Sequence, residues 1–226
     1  MCIRDRWRDE HNECHDVLQG EGGEQGDALM PALFSLGMAE ALREAQSHLQ
    51  ANELVIAYLD DIYIVTSPER ARAAYDMVTA TVAARCGIMP NLGKTVCWNR
   101  ANTCPPGIEA LGEGVWRGTG DQAARGIRVL GAPMGSAEFV QAFGVQHVQK
   151  ASGLLQQIFN LPQVQHAWLL FYFCLVPRIN HLLRQVPPDL VTSTAAAFNE
   201  LTASGLCELL HAVSYTHLTL PTILRV

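Results

Sequence analysis

The apolar residues change their spacing several times along the chain, and each change marks an element. From Asp27 the run DALMPALFSLGMAEALREAQSHL places Leu29, Leu33, Leu36, Met38, Ala39 and Leu42 close to helical spacing. Asp27 can cap that helix, and Pro31 falls in its first turn, where a missing N–H costs least. ELVIAYLDDIYIVT then sets β-branched and aromatic residues on either side of two aspartates, which predicts two short strands joined as a hairpin. SPER, residues 67 to 70, starts a second helix with Ser67 as N-cap and Pro68 at the first position. Ala71, Ala74, Met77, Val78 and Val82 supply its buried stripe, and Gly87 ends it.

Beyond Gly87 the signals are weaker. NLGKTVCW, from Asn91, predicts a turn and a short strand, and the Gly- and Pro-rich residues 101–126 read as a loop. GIRVLGAPMG is a strand with a tight bend, and from Ser136 onward the pattern is helical, broken near Pro162 and at Pro187 and Pro188. Its most apolar stretch, AWLLFYFCLV at 167–176, is far shorter than the ~20 residues that cross a bilayer, so a buried helix is expected and no membrane contact. The fold class that follows is α+β, an antiparallel hairpin packed on helices followed by a helical region, with the domain boundary near residue 136.

The two ends of the chain alter the composition that matters. Met1 to Asp5 and Val213 to His217 can be encoded by one short DNA sequence and its reverse complement, which looks like the transposon end of a sequencing adapter. Residues 1–6 and 213–226 are therefore expected to be adapter-derived, leaving 7–135 and 136–212 as the two biological regions. Setting the ends aside removes Arg4, Arg6, Arg225 and Asp5 and takes the net charge from −6 to −8. An acidic chain is a poor prior for a nucleic-acid binder, because phosphates select clustered Lys and Arg. The remaining cysteines are scattered without a CxxC pair, which suits free thiols in a reducing compartment. With 49% hydrophobic residues, about 200 residues can bury one large core or two small ones.

The chemistry concentrates at AYLDDIYIV, residues 57–65. Strand alternation puts Tyr58 and Asp60 on one face, and a hairpin tip frees Asp61 to reach the same space. Two like charges so close repel unless a cation lies between them, and hard carboxylate oxygens suit Mg²⁺. Taken alone, an Asp-Asp pair between strands is more often ordinary turn chemistry.

Its neighbours change that balance. EGGEQGDALMPALFSLG, at 21–37, resembles the QG-x-x-x-x-P-x-LF motif of reverse transcriptases through Gln25, Gly26, Pro31, Leu33 and Phe34. YLDD, at 58–61, resembles the Tyr-x-Asp-Asp box of the same family, and it follows in the expected order. NLGKT, with Asn91 and Lys94, resembles the family's Leu-Asn…Lys segment with Asn and Leu interchanged, and VLGAPMG at 129–135 resembles its primer grip. VPRINHLLRQVPP is a looser match to the thumb of retrotransposon enzymes of the non-LTR type.

The resemblance implies a partial palm followed by a helical thumb-like region, acting on an RNA template and DNA primer with deoxynucleoside triphosphates. Asp60 and Asp61 would hold two Mg²⁺ ions, with Mn²⁺ as a substitute. Gln25 and Gly26 would admit the template, Tyr58 would brace the primer end, Gly131 would lie in the primer grip, and Lys94 would serve the pyrophosphate leaving group as general acid. The family's further aspartate, on a strand upstream of the QG motif, has no counterpart here, since Asp9 and Asp16 lie too close to the helix. A compartment cannot be read from these residues; a eukaryotic retroelement would imply the nucleus.

Three rival readings remain open. One is an inactive nucleic-acid-binding or structural relic of a retroelement. Another is an RNA-templated RNA polymerase, whose hairpin usually reads Gly-Asp-Asp. The third is a zinc site using His11, Cys14 and His15 of HNECH, which needs a distant partner pair such as Cys97 and Cys104.

Overall fold

The computed structural model describes residues 5–17 and 26–211, which fall into two compact units divided between Pro90 and Asn91. The boundary expected near residue 136 lies inside the second unit. There the 126–135 hairpin packs on the helix that follows it, so no break in packing occurs at that point.

In the first unit, β1 (Asp5–Arg8) and β2 (Cys14–Val17) form one antiparallel pair. Asp5 and Arg6, expected to be adapter-derived, pair with Val17 and Asp16 in it. Helix α1 (Met30–His48) is followed by β3 (Leu54–Tyr58), β4 (Asp61–Val65), a single 3-10 turn at Pro68–Arg70, and α2 (Ala71–Cys86). Asp27 acts two residues before the cap: Leu29 is the N-cap residue, and its N–H donates to Asp27 Oδ1 at 2.8 Å. Ser67 and Pro68 likewise open the 3-10 turn instead of α2 itself. Gly87 closes α2 in the left-handed conformation, φ +68°, with its N–H donating to the Ala83 carbonyl at 2.9 Å.

The core of this unit joins Met38, Ala45 and Leu49 of α1 and its end to Ala74, Val78 and Val82 of α2. Cross-strand pairing sorts the hairpin into two faces. Val55 with Ile64, and Ala57 with Ile62, form the inner face, of which Val55, Ile62 and Ile64 pack on the two helices. Leu54, Ile56, Tyr58 and Val65 form the outer face and are exposed. The first two turns of α1 do not bury as the spacing predicts, because α2 covers α1 only from Met38 onward. Leu29 and Leu36 remain 67% and 73% exposed.

The second unit opens with a turn at 92–94 and a single bridge pairing Cys97 with Trp116. The loop expected over 101–126 is tied down by two short 3-10 turns and by burial of Ile108 and Val115. Strands β5 (Gly126–Val129) and β6 (Ala132–Gly135) form a hairpin, so the expected strand with a bend is two strands. Helix α3 (Ala137–Phe159) begins at Ser136, whose hydroxyl accepts the Phe139 N–H at 3.1 Å. Then come α4 (Val164–Leu170), a π turn at Phe171–Leu175, a 3-10 turn at Val176–Ile179, α5 (Asn180–Gln185) and α6 (Pro188–Leu209). The apolar run at 167–176 is a buried helix on one side alone: Ala167, Phe171 and Leu175 enter the core with Leu155, Ile158 and Phe198, while Leu169, Leu170, Tyr172 and Phe173 face outward. No helix among the described residues is long and apolar enough to cross a membrane.

Candidate active site at a hairpin tip

Tyr58 and Asp61 face each other as the last pair of the β3–β4 ladder, which leaves Leu59 and Asp60 as a two-residue turn. The turn interrupts the strand alternation, so Asp61, not Asp60, shares the outer face with Tyr58. A tight hairpin of this length demands positive φ, and Leu59 supplies it at +54° despite its side chain. Bulky residues rarely adopt that conformation, and the cost is of order 1–2 kcal/mol. The strain is stored directly beside the two aspartates.

Both carboxylates are exposed, and Tyr58 beside them is 61% exposed. Tyr63, two residues along the same outer face, donates its hydroxyl to Asp61 Oδ2 at 3.4 Å. Two adjacent exposed carboxylates on a rigid turn fit a hard divalent cation, which takes oxygen ligands and keeps much of its water. Among the described residues no third His, Cys, Asp or Glu completes a ligand set with Asp60 and Asp61.

The far end of the hairpin is fixed by a buried acid that the sequence reading passes over. Glu53, just before β3, is 3% exposed and accepts from the Gln50 N–H at 2.8 Å, the Thr66 hydroxyl at 2.7 Å and Arg70 Nε at 3.2 Å. These donors, the Gln50 N–H foremost, hold its carboxyl down to about 2. Gln46 of α1 adds two more ties, donating to the Glu53 carbonyl and accepting the Val55 N–H. The signal for this cluster is a charged residue at the start of an apolar strand, with a cation 17 positions later.

The other expected site residues divide between the units. Gly26 stands just before α1 with φ +105°, a conformation that suits glycine, and open space lies where a side chain would project. Gln25 lies outside the described residues. Lys94 belongs to the second unit, exposed in a turn closed on Asn91, whose carbonyl accepts the N–H groups of Lys94 and Thr95 at 3.0 Å. Gly131 occupies the β5–β6 turn with φ +86°, after Leu130 at +47°. The Leu130 carbonyl accepts from His181 Nε2 at 3.1 Å, a contact the spacing does not announce.

The zinc reading takes a different form from the one expected. The ligand atoms that gather are those of Asp9, Glu13 and His15, within 4.8 Å of one another, without His11 or Cys14. Asp9 sits at the turn of the β1–β2 pair, and its bond to His15 Nε2 at 2.9 Å lowers its carboxyl pKa. Cys97 and Cys104 are free thiols, each pushed up chiefly by burial.

Comparison with known proteins adds a direction of origin. The chain is 26% identical over 190 residues to the retrotransposable element SLACS 132 kDa protein of Trypanosoma brucei gambiense. That alignment covers 84% of this chain and 15% of the trypanosome protein. It is a retroelement likeness. No protein-family profile matches the chain, and no solved structure matches it.

Proposed function

We propose that the chain is a piece of a retroelement reverse transcriptase, an RNA-directed DNA polymerase, carrying part of the palm and a helical thumb-like region. The observation that carries the proposal is the strained two-residue turn that presents Asp60 and Asp61, exposed and adjacent, beside Tyr58. The retroelement likeness supports it as well.

In this reading Asp60 and Asp61 hold divalent cations, Mg²⁺ or Mn²⁺. When bound, such ions neutralise charge at the attacking 3′-hydroxyl and the departing phosphate. The chain's own contribution is positional. The Glu53 cluster pins one end of the hairpin, so the carboxylates at the other end stand on a fixed lever. Tyr63 holds Asp61 by one oxygen and leaves the other free. Tyr58 braces the primer end, Gly26 clears space for a template strand, and Lys94 steadies the pyrophosphate. The partners are an RNA template, a DNA primer and deoxynucleoside triphosphates.

A specific observation favours a second reading for the chain as it stands. The β3–β4 sheet has two strands, and no third acid joins the pair among the described residues. An inactive fragment or relic fits that arrangement, since misplacement of reacting groups by ~1 Å already costs ~10²-fold in rate. Primer extension on an RNA template separates the readings. The 226-residue chain should show none. A longer protein restored with its upstream coding sequence should extend the primer in Mg²⁺, and Asp60→Asn should reduce extension by more than about 10²-fold. A restored protein indifferent to Asp60→Asn overturns the catalytic reading.

A further inference from the structure

The ligand atoms gathered on the β1–β2 pair belong to residues that all lie after the segment expected to be adapter-derived. The register pairs Trp7 with His15 and Arg8 with Cys14. Carried one step further, it sets Asp9 opposite Glu13, whose carbonyl accepts the Asp9 N–H at 3.1 Å. Residues directly opposite share a face of the pair, and so do residues two apart along one strand. Asp9, Glu13 and His15 therefore belong to one face of the hairpin, Arg8 and Cys14 to the other. That is why Cys14 is missing from the cluster although it adjoins two of its members. His11 lies in the turn, with its Nε2 3.8 Å from Glu10.

The turn holds Asp9 still. Its Oδ1 accepts the His11 and Glu13 N–H groups, each at 2.9 Å, and the Asn12 N–H donates to the Asp9 carbonyl at 2.9 Å. Asn12 takes the left-handed conformation, φ +64°, that suits a three-residue hairpin turn, and its carbonyl accepts from Arg8 Nη1 at 3.2 Å. With Oδ1 so occupied, Oδ2 meets His15 Nε2 at 2.9 Å. Contacts of this outer kind orient a ligand before any metal arrives. The opposition of Asp9 and Glu13 points the same way. Like charges directly across a strand pair destabilise it, and a pair of two strands has little stability to spare. A cation between them turns that repulsion into a cross-strand tie.

We propose that Asp9 Oδ2, a Glu13 carboxylate oxygen and His15 Nε2 bind one first-row transition-metal dication, Zn²⁺ being the type, and that the ion clips β1 to β2. An imidazole nitrogen beside two carboxylates selects such an ion over Mg²⁺ and Ca²⁺, which take oxygen ligands. The three ligand atoms lie within 4.8 Å of one another. Around one zinc ion at about 2.0–2.2 Å they stand about 3.3 Å apart, so Asp9 and His15 are nearly in place and the exposed Glu13 side chain closes the remaining gap by rotation. Water takes the fourth position. The proton held between Asp9 Oδ2 and His15 Nε2 leaves to solvent as the ion enters. The site uses neither Asp60 nor Asp61 and does not depend on the polymerase reading.

The test is a titration of the 226-residue chain with Zn²⁺ by calorimetry and with Co²⁺ by absorption, both in excess Mg²⁺ to fill any all-oxygen site. One equivalent should bind, without the near-ultraviolet band of thiolate-to-cobalt charge transfer. Asp9→Asn, Glu13→Gln and His15→Gln should each weaken binding at least about tenfold. His11→Gln, Cys14→Ser and Asp60→Asn should bind like the parent chain, so this site and the aspartate pair are read separately. Glu13 is exposed, so its variant reports ligation without a change of fold. Hydrogen exchange of the β1–β2 amides should slow on adding Zn²⁺ to the parent chain but not to His15→Gln. Affinity indifferent to Glu13→Gln and His15→Gln would overturn the proposal. So would a thiolate band, or loss of binding in Cys14→Ser, either of which would put the ion on the cysteine of HNECH instead.

Discussion

Arg70 Nε donates to Glu53 Oε1 at 3.2 Å, so the residue that ends the 3-10 turn before α2 is joined to the residue that precedes β3. The Glu53 carboxyl lies at about 2 in the folded protein against an ordinary value of about 4.5. A depressed carboxyl contributes stability above its unfolded pKa and loses it as pH falls through the folded one. The first unit should therefore weaken progressively from about pH 4.5 towards pH 2. Glu53→Gln should lower the melting temperature at pH 7 and flatten this acid dependence. Parallel stability–pH curves for the two proteins would show that the cluster is not the source.

His147 predicts an acid sensitivity for the second unit too, but one that sets in nearer neutrality. Burial, with the Arg178, Lys150 and His181 charges, lowers its pKa, so the unfolded chain takes up a proton that the folded one resists. Stability should fall as pH drops below about 6.5, the usual histidine value. Measured between pH 7.5 and 5.5, His147→Gln should remove part of that slope. An unchanged slope would assign the acid sensitivity to another group.

Two glycines of α3 should respond to alanine with opposite signs. Gly144 packs against Thr194 of α6, whose hydroxyl occupies the space a β-carbon needs, so Gly144→Ala should cost about 1–3 kcal/mol as overpacking. Gly153 is exposed in mid-helix with nothing within 4 Å of a built β-carbon. Gly153→Ala should stabilise by roughly 0.5–1 kcal/mol through helix propensity. Urea denaturation of both variants checks the pair, and equal destabilisation would contradict the α3–α6 contact.

Leu59 gives a prediction at the candidate site itself. A β-branched residue tolerates positive φ still less well, so Leu59→Val should destabilise the hairpin by about 1–2 kcal/mol, while Leu59→Gly should be close to neutral. Hydrogen exchange of the β3–β4 amides reads the effect locally. Equal protection in both variants would mean that the turn relaxes away from its strained form.

The hairpin is legible in the sequence because β-branched and aromatic residues on both sides of the aspartates leave few other structures open to them. Helix α2 is legible because its stripe at Ala74, Val78 and Val82 has one partner to meet. The stripe of α1 misleads at Leu29 and Leu36, since periodicity states which side is apolar but not how far a partner helix extends along it. The QG and Tyr-x-Asp-Asp resemblances mark the candidate site residue by residue, yet the supports behind it escape them. Beside the nearby Gln50, Glu53 is held by Thr66 and Arg70, 13 and 17 positions away, and His181 reaches Leu130 across 51 positions, and no local spacing carries that information.

The outer face of the β3–β4 hairpin has a practical consequence for handling the protein. Leu54, Ile56 and Val65 are open to water on a sheet of two strands whose outer backbone edges have no further strand among the described residues. Such a sheet is a template for another extended chain. At the concentrations used for crystallisation or NMR, this hairpin should be where self-association begins, and a lysine at position 56 should delay turbidity on concentrating the sample.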